Sequence, residues 1–199
     1  MIKVSITGGI ASGKTTAANY CKKNGAYIFN ADQKSKAHLK KSLSLQKKII
    51  NIFGTKVAPN NKINLDLLAK EAFKNKTNIE ILNGIMWPEV FLLINKKYDE
   101  IKSKKEYTCF IVDAALIFEA NYKNFFHENI LITVSKKVRL ERAIRRTNIS
   151  LENIQNRIAL QMTDKDKINL ADYVINNNYT INNLYKKIDV VMHEIISTK

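Results

Sequence analysis

The chain has 199 residues, 45% hydrophobic and 26% charged, with a formal net charge of +15. That length suits one well-buried core plus a smaller appendage, and without a run of eighteen apolar residues no membrane-spanning helix is expected. Cys21 and Cys109 lack metal spacing and the three histidines are scattered, which argues against a zinc site and fits a reducing, cytoplasmic setting.

The first strand is predicted at IKVSI (2–6), a β-branched run of the kind buried in parallel sheets. The N-terminal MIKVSITGG turns glycine-rich at once and is not expected to be a signal peptide. TGGIASGKT follows as a loop, and TAANYCKKNG as a helix that Gly25 ends. AYIF is the second strand, leading into Asn30-Ala31-Asp32, so the first 32 residues form a βαβ unit. From residue 33 to about 105 the apolar residues recur at helical spacing, as in LKKSLSLQKKIINIFG and LDLLAKEAFKN. Pro59 marks a turn, and Trp87-Pro88 is expected to interrupt a further helical run. So long a connection between parallel strands reads as an inserted helical subdomain.

YTCFIVD (107–113) is the third strand, ending in an aspartate, and NILITV (129–134) is the fourth. A helix is expected at 136–147, and a second one to about residue 162 with Ser150 as its N-cap. DYVI (172–175) is the fifth strand, and Thr180 caps a last helix through Ile196. The fold class is therefore α/β, a doubly wound, mainly five-stranded parallel sheet. Its core comprises 1–32, 106–135 and 171–199, with an inserted helical subdomain at 33–105 and a helical segment at 136–170.

Gly8-Gly9-Ile10-Ala11-Ser12-Gly13-Lys14-Thr15 fits G-x-x-x-x-G-K-[ST] between a strand and a helix. Glycines let backbone N–H groups wrap a phosphate, and the helix start adds donors and a positive dipole end. The expected phosphate cradle is Gly9, Ala11, Ser12, Gly13, Lys14, Thr15 and Thr16. Lys14 is placed for the β- and γ-phosphates and the Thr15 hydroxyl for Mg²⁺. GTPase switches are disfavoured because no N-K-x-D string occurs, and a motor ATPase usually needs more chain. A compact kinase with a lid remains.

Such an enzyme needs a group to accept the acceptor's proton. Asp32, at the end of the second strand, is one if that strand neighbours the P-loop strand; it is otherwise a helix N-cap. Asp113 is a candidate for holding Mg²⁺, or else a turn residue; Glu119 is a weaker candidate for orienting substrate or lid. The 33 basic residues comprise 28 lysines and five arginines, and every arginine falls between Arg139 and Arg157. Arginine's planar fork meets phosphate oxygens through two parallel hydrogen bonds, which lysine cannot do. Arg139, Arg142 and Arg146 share one helix face, with Arg145 aside; a solvated helix paired to Glu141 is the alternative.

Together ITGGIASGKTT, NAD (30–32), ALIFE (115–119), RAIRRTNIS (142–150), NRIALQ (156–161) and ADYVINN (171–177) resemble the dephospho-CoA kinase family over nearly the whole chain. The resemblance implies a core of P-loop NTPase type with a helical substrate subdomain at 33–105 and a helical lid at 136–170, and transfer of the ATP γ-phosphoryl group to the ribose 3′-hydroxyl of dephospho-CoA, with Mg²⁺. It implies Asp32 as catalytic base, residues 11–16 as the ATP segment and Arg142 and Arg146 as lid arginines. Arg157 and Gln161 fall on the helix after the lid, on the substrate side with Arg139, and Asn177 near the adenine of ATP. The sequence departs from the family at Asn30 (usually Asp), at Trp87 (often His), at Ala115 (usually Pro) and in RTNIS. Trp87 is then a candidate to stack on a flat group of the substrate. The expected partners are ATP and dephospho-CoA, without nucleic acid or membrane, in a monomer or weak homo-oligomer. A nucleoside or nucleoside-monophosphate kinase is the near alternative. A nucleic-acid-binding P-loop protein, suggested by the charge, is the distant one.

Overall fold

The computed structural model describes residues 1–146 and 150–198; the side chains of Arg146 and Asn153 also lie outside the description. Five short strands form the centre: β1 (Ile2–Thr7), β2 (Tyr27–Asn30), β3 (Cys109–Asp113), β4 (Glu128–Thr133) and β5 (Tyr173–Asn176). All pair in parallel, in the order β2-β3-β1-β4-β5. The β3 run CFIVD is buried throughout, as expected of a strand covered on both faces. Asn30 lies opposite Asp113 in the β2–β3 register, and Ile6 opposite Asp113 in β1–β3. The carboxyl ends of three strands therefore meet at one edge, where ligands bind in such sheets.

Helix α1 (Lys14–Lys23) leaves β1 through the glycine loop and returns at Gly25, whose φ of 88° is readily available to glycine. The Ala26 N–H reaches the Cys21 carbonyl and the Gly25 N–H the Lys22 carbonyl, a Schellman ending. Between β2 and β3 lie α2 (Ala31–Lys41), α3 (Leu43–Phe53), α4 (Leu65–Ala72) and α5 (Lys76–Lys104). Leu39, Leu45, Ile49, Phe53, Val57, Leu68 and Ile85 give this insert an apolar cluster of its own. After β4 come α6 (Lys136–Arg146), α7 (Leu151–Ala159) and α8 (Asp164–Ile168), and α9 (Ile181–Ser197) follows β5, capped by Thr180.

One expectation is corrected here, and one condition is not met. Trp87-Pro88 does not interrupt a helix: α5 runs through it for 29 residues. A proline inside a helix costs about 3 kcal/mol. Burial of Ile79, Ile85, Val90, Ile94 and Ile101 along α5 offsets that, at about 1.5–3 kcal/mol for each fully buried aliphatic side chain. Second, β2 does not neighbour β1, because β3 lies between them. The segment after β4 also differs in detail: α7 ends at Ala159, and α8 follows after a break. Among the described residues no helix is long and apolar enough to cross a membrane.

Candidate active site

The loop between β1 and α1 is shaped by its glycines. Gly8 has φ of 148° and Gly13 of 103°, a range that L-side chains rarely adopt. A Cβ on Gly8 would strike the Ile132 carbonyl, and one on Gly13 would collide with Asn177 Nδ2. Asn177, 6% exposed just after β5, donates from Nδ2 to the Ser12 carbonyl at 2.8 Å. The loop is thus gripped from the far strand by the residue that the sequence suggested for adenine. Ala11 also adopts a left-handed φ of 56°. Lys14 Nζ donates to the Gly9 carbonyl at 2.9 Å, which arches the side chain back over the loop. Burial pushes its ammonium pKa down, while the carboxylates of Asp32 and Asp113 pull it up.

Thr15, exposed at the start of α1, donates from its hydroxyl to Asp113 Oδ2 at 2.9 Å. Asn30 Nδ2 donates to the same carboxylate oxygen at 3.1 Å, and its Oδ1 caps α2 by accepting from the Gln33 N–H at 2.8 Å. Asn30 therefore serves both ends of its amide, and an aspartate there would set two carboxylates against each other. The cap of α2 is Asn30; Asp32 stands one residue inside the first turn, near the positive end of the helix dipole. Asp32 is open to solvent, yet the protein around it is dense enough to push its carboxyl above the ordinary range; Lys14 and Lys36 oppose this. Burial likewise raises Asp113, against its Thr15 hydrogen bond.

The intervening strand does not separate Asp32 from the loop electrostatically, since Asp32 is the largest favourable charge acting on Lys14. Hydroxyl and carboxylate oxygens from Thr15 and Asp113 suit a hard cation such as Mg²⁺. Among the described residues no group of three or more His, Cys, Asp or Glu forms a metal cluster, so phosphate and water oxygens would complete its shell.

The predicted lid residues divide. Arg139 is 8% exposed, with its guanidinium lying against Gly9 and paired with Asp164 of α8. Arg142 is half-buried and makes no ion pair among the described residues; Arg145 is exposed. Arg146 carries a prediction whose side chain lies outside the described residues, as do residues 147–149 of RTNIS. Gln161 Oε1 accepts from the Ile10 N–H at 3.3 Å. Arg157 lies over the Phe73 ring, 4.7 Å from its centroid, so α7 meets the inserted subdomain. Burial lowers the Arg157 pKa, against the attraction of Asp66. Trp87 stacks on Tyr122 at 5.3 Å between ring centroids. Glu119 pairs through Oε1 with the ammonium of Lys167 at 2.7 Å and accepts from the Met162 N–H at 3.2 Å.

Lys167, Asp164 and the second role of Asn30 were missed from sequence. DKDKI carries the look of a solvated turn, and five residues are too few to show a buried face. The thiols offer no competing chemistry: Cys21 and Cys109 are both buried, and burial pushes Cys21 up to about 12.

A glycine loop feeding a helix, set in a 2-3-1-4-5 parallel sheet with carboxylates across the cleft, is the construction of a P-loop kinase. Within that class the chain belongs to the dephospho-CoA kinase family, whose family model matches residues 2–183. The Fusobacterium nucleatum dephospho-CoA kinase is 34% identical over 187 residues, covering 94% of this chain and 94% of the relative. The Chlamydia abortus dephospho-CoA kinase is 33% identical over 189 residues, covering 95% of this chain and 94% of the relative. The solved dephospho-CoA kinase from Campylobacter jejuni superposes with a TM-score of 0.68 at 25% identity, covering 98% of each chain.

Proposed function

We propose that the protein transfers the γ-phosphoryl group of ATP to the ribose 3′-hydroxyl of dephospho-CoA, giving coenzyme A and ADP. The observation that carries the assignment of roles is the Asp32–Lys14–Asp113 constellation at the carboxyl edge of the sheet. ATP lies with its phosphates in the 8–15 loop, and Lys14 leaves the Gly9 carbonyl to meet the β- and γ-oxygens. Asp32 accepts the proton of the attacking hydroxyl; its raised carboxyl makes it a stronger base than an aspartate of ordinary pKa. Arg142, a fork with no carboxylate partner among the described residues, meets the equatorial oxygens of the moving phosphoryl group, with Arg146 assigned the same task.

Arg139, Gln161 and Asn177 hold the loop in shape, and Glu119 fixes the root of the lid through Lys167. Thr15 and Asp113 would hold Mg²⁺, which would supply positive charge to offset the negative charge of the phosphates. Residues 33–105 form the acceptor subdomain and 136–170 the lid. The enzyme works in the cytoplasm, as a monomer or weak homo-oligomer.

The test is an acceptor panel: purified protein with ATP and Mg²⁺ is offered dephospho-CoA, adenosine, AMP and dCMP. Coenzyme A is the expected product. Turnover of AMP or a nucleoside with none of dephospho-CoA would reassign the enzyme to nucleotide metabolism.

A further inference from the structure

A groove of about 220 Å³ opens beside Asp32, between α2, α4 and α5. The α5 side is a stripe at helical spacing: Ile79, Leu82, Asn83, Met86, Trp87 and Val90. Asn83 is the one polar member of that stripe. Its carboxamide is half-buried and makes no hydrogen bond among the described residues, nor does the hydroxyl of Ser35, which lines the groove from α2. Leu65, Leu68 and Phe73 close the α4 side, and Arg157 covers the Phe73 ring.

The groove starts at the proposed base, so whatever fills it is bonded close to the reacting hydroxyl. In dephospho-CoA two groups qualify. The adenine is four bonds from the 3′-oxygen and the pyrophosphate five; the pantetheine arm lies well beyond both. Charge decides between the two. The lining supplies one cation, Lys36, beside the Asp32 carboxylate; its other polar members, Ser35 and Asn83, are neutral, and the rest is apolar. A pyrophosphate there would lose its hydration without adequate pairing, which is costly for any charged group. A purine loses little, and its flat faces suit the apolar walls that Leu65, Leu68 and Met86 provide.

We infer that this groove is the acceptor's base subsite and that Asn83 reads adenine, its carboxamide oxygen accepting from the N6 amino group while its NH₂ donates to N7. This is the geometry by which asparagine recognises adenine edges elsewhere. Pyrophosphate and pantetheine then run outward toward solvent. Asn83 thus acts as a specificity residue for the reaction proposed above, and the inference rests on that assignment of acceptor and base.

The experiment compares dephospho-CoA with its hypoxanthine counterpart, in which a carbonyl replaces the N6 amino group. Unmodified protein should prefer the adenine acceptor by about tenfold or more in kcat/KM, the size expected of one bidentate contact. Asn83→Leu should raise KM for dephospho-CoA by a similar factor, leave KM for ATP unchanged, and erase the preference between the two acceptors. The unchanged ATP constant shows that the variant is folded. A second variant, Leu82→Trp, fills the groove; it should weaken dephospho-CoA and the pantetheine-free acceptor ADP-ribose by the same factor. Equal rates on both bases in the unmodified protein, or a Leu82→Trp loss confined to dephospho-CoA, would overturn the inference and put another part of the substrate in the groove. Failure of the unmodified protein to phosphorylate dephospho-CoA at all would instead sink the acceptor assignment beneath it.

Discussion

Lys167→Met removes the ammonium from a side chain with 0% exposure and nearly preserves its length. The partner, Glu119, is left with its carboxylate 13% exposed and with the Met162 N–H as its remaining donor among the described residues. Removing one member of a buried ion pair costs about 3–5 kcal/mol, most of it from the stranded charge. For a chain of this length each kcal/mol moves the melting temperature by about 2–4 °C, so a fall of about 6–20 °C is expected. The double variant Lys167→Met with Glu119→Gln removes the stranded charge and should recover most of that loss. Differential scanning calorimetry of the four proteins at neutral pH completes the cycle. A single-variant melting temperature within about 2 °C of the original, or a double variant that merely sums the two singles, would refute the view that this pair anchors α8 to the loop after β3.

Arg142→Lys keeps the charge and loses the fork, so kcat should fall by about tenfold or more with little change in KM for ATP; steady-state kinetics decide, and a silent change would remove the geometric case for arginine there. Asp32 must be ionised to act as base, and its carboxyl is raised, so kcat/KM should fall with decreasing pH through an apparent pKa above the ordinary carboxylate range. Lys36→Gln, which withdraws a cation that favours the carboxylate, should move that acid limb to still higher pH; movement to lower pH would contradict the assignment.

The sheet and the phosphate loop were legible because their signals are local. β-Branched runs, the glycine spacing and the Lys14-Thr15 pair each lie within a few residues, and the structure agrees on all five strands. Trp87-Pro88 misled because proline's local cost is visible in sequence, whereas the burial that outweighs it along α5 is tertiary. Whether β2 neighbours β1 stays open in the sequence for a related reason: chain order does not state which strand inserts between two others, and β3 does so. Arginine clustering pointed to the right segment but could not separate tasks. Arg139 turns inward to Gly9 and Asp164, while Arg142 keeps its fork unpaired among the described residues. Lys167 was hidden among lysines that face solvent.

Single-turnover transfer from γ-labelled ATP to dephospho-CoA, measured for the unmodified protein and for Asp32→Asn, tests the central claim most directly. Asparagine keeps the shape and the helix position but cannot take the proton. The raised carboxyl makes the ionised Asp32 a cost to the fold above its pKa, a cost relieved as pH falls through it, so the substitution should not lower the melting temperature at neutral pH. ATP binding should be retained, and the transfer rate should fall by about 10²–10⁴-fold. Labelled coenzyme A formed by Asp32→Asn at a rate near that of the unmodified protein would contradict the account.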